Sequence, residues 1–305
     1  MPHSTRSTVY EDPAHADRAQ ARACASTAGT NTVGTGACVK KYVAVFRMRF
    51  VNTLQYRAAA LAGIVTQFAW GFMGISAFAA FYRANPDAFP MEFSQTVSYI
   101  WVQQAFLPLF MMWLWESEIG NAITEGSIAY EMVRPVDLYS RWFCQVAASR
   151  LARAALRCAP ILIIAFIMPE PYRLPLPSDV GQLTLFLLSV TLSLGVVVSL
   201  TILMYVSLFY TLSPMGVRTI ISVSADFLAG GMIPLPFFPE QIRKVAELLP
   251  FAAIQNVPLR IYSGNIAGID AVTGIALQLF WLVALLAMGR LIMGRALKRV
   301  TVQGG

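Results

Sequence analysis

Two stretches, Ala58 to Tyr82 and Phe93 to Trp115, contain no charged residue at all. Each exceeds the roughly 20 residues that a helix needs to cross a hydrocarbon core about 30 Å thick. In such a core every backbone N–H and C=O needs a partner within the protein, which leaves helices and closed barrels, and uncharged runs of this length select helices. The rest of the chain agrees: 57% of positions are hydrophobic and 13% charged, against about 25% charged in a soluble domain. The expected fold is an all-α membrane protein with one polytopic domain.

The net charge of +7 does not point to nucleic acid, because the Lys and Arg residues flank apolar segments and form no single stripe. Both histidines, His3 and His15, lie in the polar N-terminal stretch. The apolar remainder therefore has no imidazole for a Ser-His pair, a His-ligated metal or a proton relay, and neither a catalytic nor a metal site is expected there. Cys24, Cys38, Cys144 and Cys158 show no CxxC pairing and read as free thiols.

Residues 1–39 read as a disordered polar tail, rich in Ala, Ser, Thr and Gly. Residues 40–57 place Val43, Phe46, Phe50 and Leu54 at helical spacing among Lys40, Lys41, Arg47, Arg49 and Arg57, the pattern of an interfacial amphipathic helix. Residues 58–300 form the membrane domain. Beyond the first two spans, the uncharged run Val180 to Val217 is too long for one helix and divides near Ser213-Pro214, giving spans at 181–207 and 215–233; the last lies at 271–289. A sixth, at 145–168, is decided by charge. With six helices both termini share a side, and calling that side cytoplasmic puts fifteen of the Lys and Arg from Lys40 onward inside and five outside, as the positive-inside rule requires. Arg150, Arg153 and Arg157 then share one helix face at i, i+3, i+7, placed to snorkel toward the cytoplasm. Trp101, Trp113 and Trp115 read as interfacial anchors or packing residues.

No Gly-Lys dipeptide occurs in the sequence, so there is no Walker-type loop to cradle phosphates, and ATP hydrolysis by this chain is not expected. Two segments carry more information. One is Glu125-Gly126-Ser127-Ile128-Ala129-Tyr130-Glu131-Met132-Val133-Arg134-Pro135-Val136-Asp137; the other is Gly230-Gly231-Met232-Ile233-Pro234-Leu235-Pro236-Phe237-Phe238-Pro239, followed by Leu249-Pro250-Phe251 and Ile261-Tyr262-Ser263-Gly264. Together they resemble the permease subunit of an ABC-2 type exporter, in the branch with a G-x-I-x-Y-E-x-x-R-P loop. The resemblance covers roughly residues 40 to 300.

What the resemblance implies is a six-helix half-transporter in the cell membrane. It would pair with a second permease subunit, the same or a related chain, and bind separate P-loop ATPase subunits that hold ATP and Mg. Glu125, Gly126, Tyr130, Glu131, Arg134 and Pro135 would form the ATPase-coupling loop, where Glu116, Glu118, Asp137 and Arg141 add charge and Gly126 and Pro135 bound a short helix. The bland alternative is an ordinary charged, turn-rich loop. Pro234 to Gly268 would form a re-entrant outer segment, tolerated only against protein or a wet cavity, with Gly230, Gly231, Pro234 and Pro239 at the path or outer gate; an amphipathic surface loop is the alternative. Asp226, the one acid deep in an apolar segment, is either a residue of the path or a structural partner for a basic side chain. The competing functional readings are an ion-gradient-driven secondary transporter, which has little support from a single deep acid and no visible repeat, and a membrane enzyme, which lacks a histidine. The cargo has no readable motif.

Overall fold

The computed structural model describes residues 33–134, 136–211 and 214–298. Among these the regular structure is helical, with no strand. In chain order the α-helices are α1 (Val33–Leu54), α2 (Arg57–Ala84), α3 (Phe93–Phe110), α4 (Ser117–Thr124), α5 (Ile128–Met132), α6 (Leu138–Ile167), α7 (Val180–Ser207), α8 (Pro214–Leu228), α9 (Glu240–Leu248), α10 (Asn256–Tyr262) and α11 (Gly268–Leu297). Helix α1 thus begins ahead of Lys40 and takes in the last residues of the stretch read as a tail.

Local sequence explains most of the helix ends. Helix α2 stops at Ala84 because Asn85 precedes Pro86, and a residue before proline is pushed out of the helical region; Asn85 sits at φ −153°, ψ 87°. Helix α3 opens with the Glu92 backbone N–H donating to the Gln95 side chain at 3.2 Å. Helices α6 and α7 each start on an aspartate cap: Asp137 accepts from the Ser140 N–H at 2.8 Å and Asp179 from the Gln182 N–H at 2.6 Å.

Of the six expected spans, α2, α7 and α11 are long and apolar enough to cross a membrane. The other three differ from the sequence reading in instructive ways. Helix α3 ends at Phe110 rather than Trp115: Met111 turns to extended backbone at ψ 131° while its N–H still closes the last turn on the Leu107 carbonyl. At 18 residues it is about 27 Å long at a rise of 1.5 Å per residue. Helix α6 has 30 residues and starts seven residues before the expected 145, and its arginines keep it outside the apolar class. Helix α8 ends at Leu228, before the expected 233, where Gly230 takes φ +81° and the Gly231 N–H returns to the Asp226 carbonyl at 2.8 Å.

Helix α7 runs through the middle, with α11 along one side and α6 and α3 along others, while α1 lies mainly on α6. Trp101, Trp142, Tyr99 and Tyr205 are fully buried at these contacts. Trp101 is therefore a core residue and not an interfacial anchor, its ring N–H donating to the Tyr172 carbonyl at 2.8 Å. Helices α7 and α11 are locked by the buried Gln278 amide, which accepts from Ser189 Oγ at 2.8 Å and donates to Ser193 Oγ and the Ala253 carbonyl, each at 2.9 Å. The outward faces of α2 (Leu61, Val65, Trp70, Phe81) and α11 (Leu279, Phe280, Val283, Leu291) are exposed and apolar, a continuous display that water does not tolerate and lipid or a partner helix covers.

Candidate functional site

Three constellations lie along the height of α3. The first is a fastening point directly after its C-terminal end. Glu116 is 5% exposed and accepts from Arg49 of α1, from Ser149 Oγ of α6 at 2.6 Å and from Arg153 of α6 at 3.3 Å; its own N–H donates to Tyr205 Oη of α7 at 2.7 Å. Arg49 also holds the exposed Glu118 at 2.8 Å. Burial works against the Arg49 charge, but Glu116 and Glu118 outweigh it and raise the guanidinium pKa above its ordinary value. Arg150, fully buried, completes the junction by donating to the Leu109 and Met111 carbonyls at 3.1 and 2.7 Å and to Thr201 Oγ1 at 3.0 Å. It caps the orphan carbonyls of α3 from a neighbouring helix, at the end where the helix dipole favours a cation. Helix α8 joins through Arg218, which donates to the Trp113 carbonyl at 2.9 Å and lies over the Trp115 ring.

The second constellation is the segment α4–α5, which continues from Glu116. Gly126 takes φ +76° and turns the chain between the two helices. Glu125, Gly126 and Arg134 are exposed, Tyr130 is 81% and Val133 83% exposed. Glu131 behaves differently: its carboxylate accepts from Arg141 and from the Trp142 ring N–H, both at 3.0 Å, so it ties α5 to α6 and is not free to meet a partner. Pro135 lies outside the described residues.

The third is a groove of about 720 Å3 between α2 and α3. It runs from Gly63 to Phe78 along α2, which is about 22 Å of helix at 1.5 Å per residue. Arg157 of α6 stands at one end; Gly231 and Pro234 stand at the other. The Gly230-Gly231 turn is tied to α3 by Gln103, whose amide donates to the Gly231 carbonyl at 2.6 Å, and by Tyr99 Oη donating to the Gly230 carbonyl at 3.4 Å. A Cβ on Gly231 would come within 2.7 Å of the Asp226 carbonyl oxygen, so the turn accepts only glycine there. Asp226 itself is half-buried, and its carboxylate has no hydrogen bond or ion pair among the described residues; it does not line the groove. Pro239 is exposed and precedes α9, away from the groove lining. Residues 235–262 fold as short helices pinned by the Arg260–Glu247 pair at 2.6 Å and by Gln182, which donates to the Ile261 and Tyr262 carbonyls at 2.8 and 2.9 Å.

The sequence reading placed Glu116 only among loop charges and Arg150 only in a snorkelling stripe, not at this junction. Their signal was present: Glu116 is the first acid after an uncharged run, and the arginine triplet needs a counter-charge.

An all-helical chain with apolar outward faces, a tall groove between two helices and a buried polar fastening beneath an exposed loop defines a membrane transport component. More specifically, the chain belongs to the ABC-2 family transporter proteins, whose family model matches residues 89–304. No curated protein matches it. The family match takes in α3 to α11 and both segments on which the resemblance rested; membrane, transport and permease character follow from it.

Proposed function

We propose that this chain is the membrane-spanning subunit of an ATP-driven ABC-2 exporter, crossing the cell membrane six times with both ends in the cytoplasm. The observation that carries the reading is the exposed α4–α5 segment, joined directly to the buried Glu116 that holds α1, α6 and α7. Tyr130, Val133 and Arg134 form an apolar and basic face suited to a soluble P-loop ATPase, which would hold ATP and Mg. Aromatic and Arg side chains are the residues that most often dominate such interfaces. Force on α4 and α5 reaches Glu116 within a few residues, and Glu116 holds α1, α6 and α7 at once. A second permease subunit would cover the apolar face of α2 and close the groove. The turn at Gly230-Gly231 and the short helices α9 and α10 would form its outer gate, and the segment after Pro234 would be re-entrant.

Three experiments test this reading. Tyr130→Ala combined with Arg134→Glu should reduce co-purification of the ATPase at least tenfold and abolish ATP-dependent transport while leaving the permease folded, since both side chains are solvent-facing. Transport by the purified chain in vesicles without ATPase or ATP, driven by an ion gradient alone, would overturn it. For topology, single cysteines at Asp87, Asp179 or Glu247 in a cysteine-free background should label from outside intact cells, whereas cysteines at Glu125 or Gln303 should not. External labelling at Glu125 or Gln303 would remove the six-span arrangement.

A further inference from the structure

The groove wall carries a polar seam that no described residue satisfies. Arg157 has no acidic partner and no hydrogen bond within the described residues, and its Nε is buried without a partner. Its guanidinium rests against Gly63, where an added Cβ would lie 2.4 Å from Cζ, so the glycine makes the room that the charge occupies. One turn further along α2 stands Gln67, only 3% exposed, with both amide atoms unpartnered. A turn beyond that, Gln104 packs against Gly71, and its Oε1 is likewise buried and unpartnered. All three side chains line the groove, and no Asp or Glu does. Apart from Thr66 and Gln103, the remainder of the lining is glycine or apolar, with Trp70, Met73 and Phe78.

An unpaired cation in an apolar surrounding is costly, as is a buried amide with neither donor nor acceptor used. The neighbouring arginines on the same helix do not share this state: Arg150 is bound to carbonyls and Arg153 to Glu116. Of these three, Arg157 is left without a partner among the described residues, and it faces the groove. We propose that the groove binds an amphiphilic anion, with a single carboxylate or phosphate-type group on the Arg157 guanidinium, polar atoms of its neck on Gln67 and Gln104, and an apolar body along Trp70, Met73 and Phe78. This deepens the transport reading by giving the occupant a chemical class. A guanidinium offers two parallel N–H donors to such a group, which a lysine does not.

The test is binding by the full-length chain in phosphatidylcholine nanodiscs, using 11-(dansylamino)undecanoic acid and its uncharged methyl ester as probes. It needs neither ATP nor ATPase, so it stands or falls separately from the exporter reading. The acid should bind at least tenfold more tightly than the ester. Arg157→Gln should erase that preference while ester binding is kept, Arg157→Lys should keep part of it, and Gln67→Leu should weaken the acid several-fold. Competition by phosphatidylglycerol that depends on Arg157 would identify a bilayer lipid as the occupant; indifference to phosphatidylglycerol would leave an acidic cargo. Equal binding of acid and ester by the wild type, or a preference that survives Arg157→Gln, overturns the proposal. So does dissociation of paired copies caused by Arg157→Gln and equally by Asp226→Asn, which would make the free guanidinium the counter-ion of a second copy.

Discussion

Replacing Glu116 by alanine is expected to destabilise the protein by about 3–5 kcal/mol, the range for removing one partner of a buried charge network. The carboxylate is nearly inaccessible and is shared by Arg49, Ser149 and Arg153. Its loss strands Arg153 and removes the more buried of the two carboxylates on Arg49, leaving only the exposed Glu118. Exposed pairs of that kind are worth little. Glu118→Ala should therefore cost less than about 1 kcal/mol, although both acids touch the same guanidinium. Glu116→Gln keeps the volume and one acceptor and should fall between the two. The measurement is reversible unfolding in mild detergent, followed by Trp fluorescence, for the three variants side by side. Equal losses for Glu116→Ala and Glu118→Ala would mean that Arg49, rather than the buried carboxylate, organises the junction. A second readout addresses coupling: Glu116 stands between the exposed α4–α5 segment and the transmembrane helices, so Glu116→Gln should keep the ATPase bound and slow ATP-dependent transport.

How far the sequence reaches depends on the range of the interaction. Uncharged runs located α2 and α7 to within a few residues, because a membrane helix must be continuous and apolar and this shows in one dimension. The G-x-I-x-Y-E-x-x-R-P loop singled out Tyr130 and Arg134, which the fold leaves exposed. It did not separate them from Glu131, whose carboxylate is consumed by Arg141 and Trp142 ten and eleven residues on. The end of α3 was misjudged for a related reason. Composition continues apolar to Trp115, but the helix stops at Phe110, and the terminal carbonyls of Leu109 and Met111 are taken by Arg150, 39 to 41 residues away. Asp226 is the converse case. Its isolation in an apolar segment is plain in the sequence, and in the fold its carboxylate meets no partner among the described residues and lies outside the groove lining. Long-range pairing decides each of these, and no local pattern encodes it.

The same limit applies to the arginines of α6, and it yields the last expected result. At i, i+3 and i+7 they form one stripe, for which a single snorkelling role is the economical reading. In the folded bundle they occupy three environments: Arg150 is fully buried on carbonyls, Arg153 is partly exposed on Glu116, and Arg157 faces the groove without a partner. Their neutral replacements should therefore separate sharply. Arg150→Met fills the space but strips the Leu109 and Met111 carbonyls of their donor, and unmade buried hydrogen bonds cost about 1–3 kcal/mol each; the sum is expected at about 2–5 kcal/mol. Arg153→Met loses one longer contact to an acid that keeps Arg49 and Ser149, and should cost about 1 kcal/mol. Arg157→Met removes an unpaired cation from an apolar wall, so stability should be unchanged or raised, by up to about 1 kcal/mol. Unfolding midpoints for the three variants give the order directly. Since a stripe serving one purpose would lose similar amounts at each position, three similar losses would restore the snorkelling reading and take Arg150 out of the α3 cap.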